Sequence, residues 1–562
     1  MNQDLSLRSG GQVLVDQLRI HGVDTAFCVP GESYLDVIDA LYDHRNAIRL
    51  IVSRQDGGAS FMAEAYGKCT GKPGICLVTR GPGATNASIG VHTAYQDSTP
   101  MILFVGQVGG DVVEREAFQE IDYRRMFGQM AKWVAQIDRA ERIPEYVSHA
   151  FHLAVSGRPG PVVLALPEDM LVTKVEVADA RPFATNRAAP FSGAMDRVRD
   201  MLEEARQPLV LLGGGGWTPQ ACDDIRGFVE ANNLPVACTF RRQDLIDNRH
   251  PNYCGDVGIG INPLLAKRVG AADLVIAVGP RLGEMTTNTY TLFDIPGPVQ
   301  KMIHVHPGAE ELGRVYQADL MINSDMGEFA QLATRMPPVD SAPWRDWTHQ
   351  AHKDYLANIE PQASPGAVDM AEVMTEMRKQ LPADAIMTNG AGNYSGWVQR
   401  YWQYGGLRTQ VAPTNGAMGY GVPAGVAAKV ACPDRTVVSF SGDGCFLMNG
   451  QEIATAVQYD LKVLFVVINN GMYGTIRMHQ ERDYPNRVHG TALRNPDFAA
   501  LARAYGMHGA VVRRTEEFAG VLAEALAQKT SALIEIQIDP EAITTRGKLT
   551  AIRENALKRK GG

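Results

Sequence analysis

The stretch from residue 436 to residue 470 constrains this chain more than any other. A β-branched and aromatic run over 436–440 breaks at Gly442-Asp443-Gly444; a helical pattern follows over 449–459; an unbroken apolar run over 463–468 then ends in Asn469-Asn470. Short apolar runs bounded by turn residues read as strands buried on both faces, and strand, helix, strand in that order is the crossover unit of a parallel sheet. Two neighbouring strands therefore deliver Asp443 and Asn470 to the same edge. Helices must cover both faces of such a sheet, which makes the fold class α/β.

The turn itself suits an anion held through a metal. Glycines beside Asp443 let backbone amides approach phosphate oxygens closely. A hard divalent cation such as magnesium takes oxygen ligands in octahedral array and leaves positions for phosphates, so one carboxylate, one amide carbonyl and one backbone carbonyl suffice. Asp443, Asn470 and the carbonyl of Met472 supply that set. Gly-Asp-Gly alone is usually only a turn. With the helix, the apolar strand and the terminal Asn-Asn behind it, the segment resembles the signature of thiamine diphosphate enzymes.

Length and composition bound the rest. A chain of 562 residues holds three or four domains of ordinary size, and 45% hydrophobic with 21% charged residues gives a globular protein with ample core. No apolar run approaches a membrane span, and the start MNQDLSLRSGGQ has neither the basic nor the apolar part of a signal peptide, so a cytoplasmic enzyme with no membrane partner is expected. The eight cysteines show no CxxC spacing and read as small core hydrophobes, not as zinc or disulfide sites. A net charge of −8 argues against a nucleic-acid partner.

Strand-like and helical runs alternate in three blocks, with polar, proline-bearing breaks at 178–193 and 335–344. The expected domains are residues 1–178, 194–336 and 366–545, each with a parallel sheet, followed by a basic tail, 546–562, read as a solvated end or a flap. No tandem repeat or low-complexity tract interrupts them. In the first block, strands are expected over 26–29, 48–53 and 74–79, with helices over 34–44 and 62–68. The last strand runs into RGPGATN, where Gly81, Pro82 and Gly83 turn tightly into a helix at the carboxyl end of the sheet.

That motif, together with VPGES (29–33), GGASFMAEAYGK (57–68), AYQDSTPMILFVGQV (94–108), EAFQEID (116–122) and GRPGPVVLALPEDM (157–170), resembles the pyrimidine domain of acetolactate synthases and their relatives. The likeness spans essentially the whole chain. It implies three parallel-sheet domains, pyrimidine-binding, central and diphosphate-binding, and roles for particular residues. Pro82 and Asn86 would line the aminopyrimidine, and Gly31 of VPGES would belong to the catalytic set. Gly392, Asn393 and Tyr394 in TNGAGNYSGW would cradle the diphosphate with Gly444, Cys445 and Gly474. In NGAMGYGVPAG, Gly416 would accept from the exocyclic amine and Met418 would wedge between the two rings, a bulky apolar support for a folded, crowded cofactor. A lone methionine is otherwise most often core packing.

Three positions depart from the family. Relatives carry a glutamate six residues before the methionine of the MAE helix, where it bonds the pyrimidine; this chain has Asp56. Aspartate keeps the carboxylate but is one methylene shorter, about 1.5 Å less reach, and burial should raise its pKa, which suits proton sharing. The alternative role is a helix N-cap. Glu168 stands where relatives commonly have lysine, and His479 where they have the tryptophan that selects the second keto acid. Gln119, beside Phe118, matches the glutamine facing the reacting carbons.

In the central block, Gly213 to Gly216 suggest a dinucleotide loop, yet the GxGxxG fingerprint with its downstream acid is not clean. Relatives hold FAD, an adenine nucleotide or nothing there, and the reading leans away from flavin. The function the resemblance implies is a thiamine diphosphate- and Mg²⁺-dependent carboligase that decarboxylates a 2-keto acid such as pyruvate and joins the remainder to a second carbonyl, a keto acid or an aldehyde. A lyase or decarboxylase acting on 2-hydroxy ketones or 2-hydroxyacyl thioesters is the alternative, and a cofactor-binding scaffold with little turnover is a third reading. In the family the pyrimidine domain of one subunit faces the diphosphate domain of another, which implies a homodimer or homotetramer.

Overall fold

A computed structural model describes residues 6–561. It contains three six-stranded sheets, and every strand pairing inside them is parallel. The α/β class and the three parallel-sheet domains read from the sequence are therefore the observed architecture. Strands such as Gly74–Val78, Met101–Gln107 and Pro161–Pro167 are buried at every position, as expected where helices pack on both faces.

Each sheet grows outward in both directions from its first long strand. The split falls between Thr25–Cys28 and Gly74–Val78, between Pro208–Leu212 and Leu274–Val278, and between Ile386–Asn389 and Val437–Gly442. At such a split the two departing loops diverge and leave a crevice at the carboxyl ends of the strands, where open α/β sheets bind ligands. The loops at those places are residues 29–33 with 79–83, 213–216 with 279–282, and 390–394 with 442–445. The topology alone thus puts most of the motif residues at crevices.

By contacts the chain divides into two units, Met1–Ala188 and Ala189–Gly562. In the first, helix Asp56–Thr70 starts six residues before the expected position. Its first turn is glycine-rich and nearly all of it is buried, so no polar face betrays it as a helix. The 178–193 break is only partly a linker. Asp179 accepts from Gln17 Nε2 at 2.8 Å, Ala180 N donates to Gln17 Oε1 at 3.0 Å, and Phe183 stacks near Phe151 and His21.

The second unit holds the other two sheets. Helix Arg345–Asn358 follows the second break and packs into the core of the central sheet through Tyr355, with Trp344 and Ile359 at its two ends. A polar seam joins central and C-terminal sheets: Gln243 and Gln410 exchange hydrogen bonds of 2.8 and 3.1 Å, and Asp244 accepts from Arg408 N at 2.8 Å. The basic tail is not a solvated coil in this structure. It forms helix Leu549–Gly561 and docks on helix Gly474–Asp483, where Arg553 donates twice to buried Glu481, both at 2.9 Å. All eight cysteines are free thiols, six of them buried. Among the described residues no helix is long and apolar enough to cross a membrane.

Candidate active site

Strand Val437–Gly442 runs unbroken into helix Asp443–Asn449, with Gly442 as its N-cap. In parallel register with it, Gly442 lies opposite Ile468, so Asp443 and the end of Leu464–Asn469 emerge side by side. Beside them lies a cavity of about 240 Å³. Gly392, Asn393, Tyr394, Gly416, Met418, Asp443, Gly444, Cys445, Asn470, Met472 and Gly474 all line it. These residues come from four separate stretches of chain, and the fold gathers them in one place.

Three helices begin at this cavity, Ser395–Tyr401, Asp443–Asn449 and Gly474–Asp483. Helix amino ends carry partial positive charge, which favours an anion. None of the described residues lining the cavity is a lysine or arginine. A diphosphate bound here would rely on helix ends and a cation for neutralisation.

Asp443 is buried, and burial raises its pKa against the hydrogen bonds it accepts. Oδ1 accepts from Gly444 N at 2.9 Å; Oδ2 accepts from Gly471 N at 2.9 Å and from Asn495 Nδ2 at 2.7 Å. Asn470 Oδ1 accepts from Met472 N at 3.3 Å, and Gly471 between them has φ +67°, a left-handed bend that suits glycine. One carboxylate, one side-chain amide and nearby carbonyls form an all-oxygen donor set, which fits a hard divalent cation. The glycines of the turn have a second use: a Cβ at Gly442 would lie 2.7 Å from the Tyr394 ring, and one at Gly444 2.6 Å from the Tyr473 ring.

On the facing wall, Asn393 is committed to its neighbours. Its N–H donates to Thr475 Oγ1 at 2.9 Å, and its side chain donates to Ile543 O at 2.9 Å and accepts from Thr475 Oγ1 at 3.0 Å. Tyr394 donates to Cys445 Sγ at 3.1 Å, which also accepts from Gly419 N at 3.2 Å. Arg241 of the central domain braces this wall, reaching Pro413 O at 3.0 Å and Ser395 Oγ at 3.4 Å. Met418 is half-buried against the core of the C-terminal sheet and presents to the cavity. His479 is on helix Gly474–Asp483 but not among the residues lining the cavity. Its imidazole pKa is lowered, first by burial and then by Arg482, and Nδ1 has no hydrogen-bond partner among the described residues.

A second cluster stands in the first unit at the split of its sheet. Asp56 is 8% exposed; Oδ2 accepts from Asn86 Nδ2 at 3.2 Å, whereas Oδ1 is buried with no partner among the described residues. Burial raises the pKa of this carboxyl. The N-cap of its helix is Gln55, which accepts from Gly58 N at 3.0 Å, so Asp56 is the first helical residue and its side chain is not the cap. Pro82 opens helix Pro82–Asp97. Gly81, at φ +57°, leaves room for the backbone of Gln119, whose carbonyl oxygen a Cβ there would meet at 2.7 Å. Gln119 Oε1 is another buried oxygen without a partner among the described residues. Gly31 packs against Thr79, 2.5 Å from where its Cβ would be. Glu168, one of the departures, pairs with Arg80 at 3.0 Å, and the same guanidinium donates to Phe118 O at 3.1 Å.

Sequence reasoning did not find Asn495, Arg241 or Thr475. Asn495 and Arg241 act on the site from distant stretches of chain, and Thr475, which lines the cavity beside Gly474, acts through its bonds to Asn393, 82 positions away; no local pattern announces any of these.

Sheet topology, a cavity at helix amino ends and an oxygen donor set define an enzyme class that the family comparison names. Residues 8–126 match the thiamine pyrophosphate enzyme N-terminal TPP binding domain, 195–332 the central domain and 390–536 the C-terminal TPP binding domain. The chain belongs to the thiamine pyrophosphate enzyme family and is a thiamine diphosphate-dependent enzyme. Its relatives include acetolactate synthase isozyme 2 large subunit of Escherichia coli K12, 31% identical over 94% of this chain and 96% of that one. They also include the acetolactate synthase large subunit of Parasynechococcus marenigrum, 33% identical over 94% of this chain and 87% of that protein. A probable acetolactate synthase large subunit of Methanocaldococcus jannaschii is 30% identical over 97% and 95%.

Proposed function

We propose that the protein is a Mg²⁺-dependent carboligase of acetolactate synthase type, which releases carbon dioxide from a 2-keto acid such as pyruvate and joins the remaining fragment to a second carbonyl. The observation that carries this reading is the single cavity in which Asp443, Asn470 and Met472 meet Gly392, Gly416 and Met418. When bound, thiamine diphosphate supplies a nucleophilic carbon and an electron sink, and the protein's share is orientation and electrostatics.

Asp443, Asn470 and the Met472 carbonyl would hold the cation. Gly392, Asn393, Tyr394, Gly444, Cys445 and Gly474 shape the diphosphate pocket, and the three helix amino ends offset its charge. Met418 and Gly416, both on the cavity wall, would support the cofactor, Met418 by apolar contact and Gly416 as acceptor for the exocyclic amine. Pro82 and Asn86 would line the pyrimidine, with Gly31 in the neighbouring loop that packs on Thr79. Asp56 Oδ1, buried without a protein partner among the described residues, is the atom that holds a proton shared with the pyrimidine. Gln119 Oε1 is free to receive a hydrogen bond from substrate. His479 bears on the choice of second substrate. Because relatives build the site from two subunits, a homodimer or homotetramer is part of the proposal, as is a cytoplasmic setting.

One observation favours a second reading. Glu168 neutralises Arg80 where relatives commonly have a lysine, which changes the charge offered to an acidic substrate and suits a lyase or decarboxylase acting on 2-hydroxy ketones or 2-hydroxyacyl thioesters. Incubation of the purified protein with thiamine diphosphate, Mg²⁺ and pyruvate separates these. Carbon dioxide release with acetolactate as product is the expected result. Release with a different product supports the second reading, and no cofactor-dependent release on any 2-keto acid, 2-hydroxy ketone or thioester overturns both.

A further inference from the structure

Behind the proposed metal site runs a chain of side-chain amides whose polarity is forced at every link. Glu535, 2% exposed on strand Ala532–Gln537, accepts at Oε1 from Asn469 Nδ2 at 2.8 Å and from Gln537 Nε2 at 3.0 Å. Asn469 Oδ1 in turn accepts from Asn495 Nδ2 at 2.9 Å and from Gly471 N at 3.1 Å. The same Asn495 Nδ2 donates to Asp443 Oδ2 at 2.7 Å.

We propose that Glu535, Asn469 and Asn495 form a relay that fixes the orientation of the Asp443 carboxylate, with Asn495 a positioning residue for the divalent-cation site. The inference rests on the reading of Asp443 as a metal ligand. Amide oxygen and nitrogen are nearly equal in size, so shape does not decide which end of an asparagine faces a neighbour; donors and acceptors do. The Glu535 carboxylate turns the Asn469 nitrogen toward itself. The Asn469 oxygen then faces Asn495 and Gly471, which forces the Asn495 nitrogen inward between two acceptors. The cost is visible: Asn495 Oδ1 is buried and has no partner among the described residues. Leaving such an oxygen unpaired is unfavourable. The flipped amide would be worse, since its oxygen would lie against both Asn469 Oδ1 and the Asp443 carboxylate. The backbone holds the donor in place as well, because Leu493 N donates to Gly471 O at 2.8 Å and Tyr473 N to Thr491 O at 2.9 Å. With Gly471 N and Asn495 Nδ2 both on Oδ2, the carboxylate cannot rotate freely before a cation arrives.

Partners of metal ligands typically tune affinity by about 10–100-fold. Calorimetry of the full-length protein with thiamine diphosphate across a Mg²⁺ series tests the relay. Asn495→Ala should raise the Mg²⁺ concentration needed for cofactor binding by about tenfold or more, with the melting temperature of the metal-free protein nearly unchanged. Glu535→Gln, which lets the amide chain adopt either polarity, should show a smaller shift in the same direction. Asp443→Ala in the same series should abolish Mg²⁺-dependent binding. A loss in Asp443→Ala with unchanged Mg²⁺ dependence in Asn495→Ala overturns the relay alone. Unchanged dependence in Asp443→Ala overturns the metal site and the relay with it. Should Asn495→Ala not fold, an unchanged Mg²⁺ dependence in Glu535→Gln overturns the relay.

Discussion

Asp56 shows how a side chain's chemistry follows from where its oxygens point. One oxygen has Asn86 and the other has no described partner, in a buried setting that raises the pKa. A carboxyl whose pKa is higher folded than unfolded binds more protons in the native state, so its contribution to stability is greatest at low pH and declines as pH climbs from the ordinary carboxylate range through the folded value. Asp56→Asn removes that dependence. The variant should melt higher than the parent at pH 7 to 8, by an amount on the order of 1 kcal/mol, and the difference should shrink toward pH 4; parallel profiles would contradict the burial argument. With cofactor bound, the same variant should keep binding but slow exchange of the thiazolium proton with deuterium, because an amide does not shuttle a proton. The position of Asp56 was legible from the spacing to Met62, and its burial was expected. Its exclusion as the helix cap was not legible, because Gln55 caps through a side chain that propensity ranks low. Asn495 was out of reach for a different reason: its bond to Asp443 spans 52 positions that only the fold brings together.

Strands were the most legible elements and the charged tail helix the least. Continuous apolar runs betray buried parallel strands, and those at 74–78 and 464–469 differ from their expected bounds by a residue. Helix Leu549–Gly561 carries no such stripe; it docks by charge, and a run of lysines and arginines reads as a solvated end. Glu481, 1% exposed on its side chain, accepts from Arg477 at 2.7 Å and twice from Arg553. Arg553→Ala leaves that buried carboxylate with one cation fewer and should destabilise the protein by about 1–3 kcal/mol. Because helix Gly474–Asp483 opens at the cavity, cofactor affinity should fall as well. Arg482→Ala is the control: its pair with Asp483 is about half exposed on both sides and its loss should cost less than about 0.5 kcal/mol. Equal shifts in melting temperature for the two variants would mean that the tail helix does not clasp its neighbour.

The threefold alternation of strands and helices made three sheets legible, since each obeys the same local rules. The grouping of the sheets was not, because the seam between central and C-terminal sheets is built from Gln243, Asp244, Gln410 and Asn248, residue types that a sequence reading assigns to the surface. The same holds for helix Arg345–Asn358, which continues the central core past a break that reads as a domain boundary. These groupings predict where a protease enters. Chain accessibility to cleavage follows burial and hydrogen bonding of the backbone, not distance from a sequence landmark. Residues 184–187 are exposed, outside any helix or strand, and lie at the boundary between the two contact units. Arg187 is therefore the expected first site for trypsin in the native protein. The initial products should be the two contact units, and Arg345 and Lys353, held in a helix docked on the central sheet, should be cut much later. Early cleavage at Arg345 or Lys353, seen by mass spectrometry of a time course, would show that this helix is a linker and that the central core ends before it.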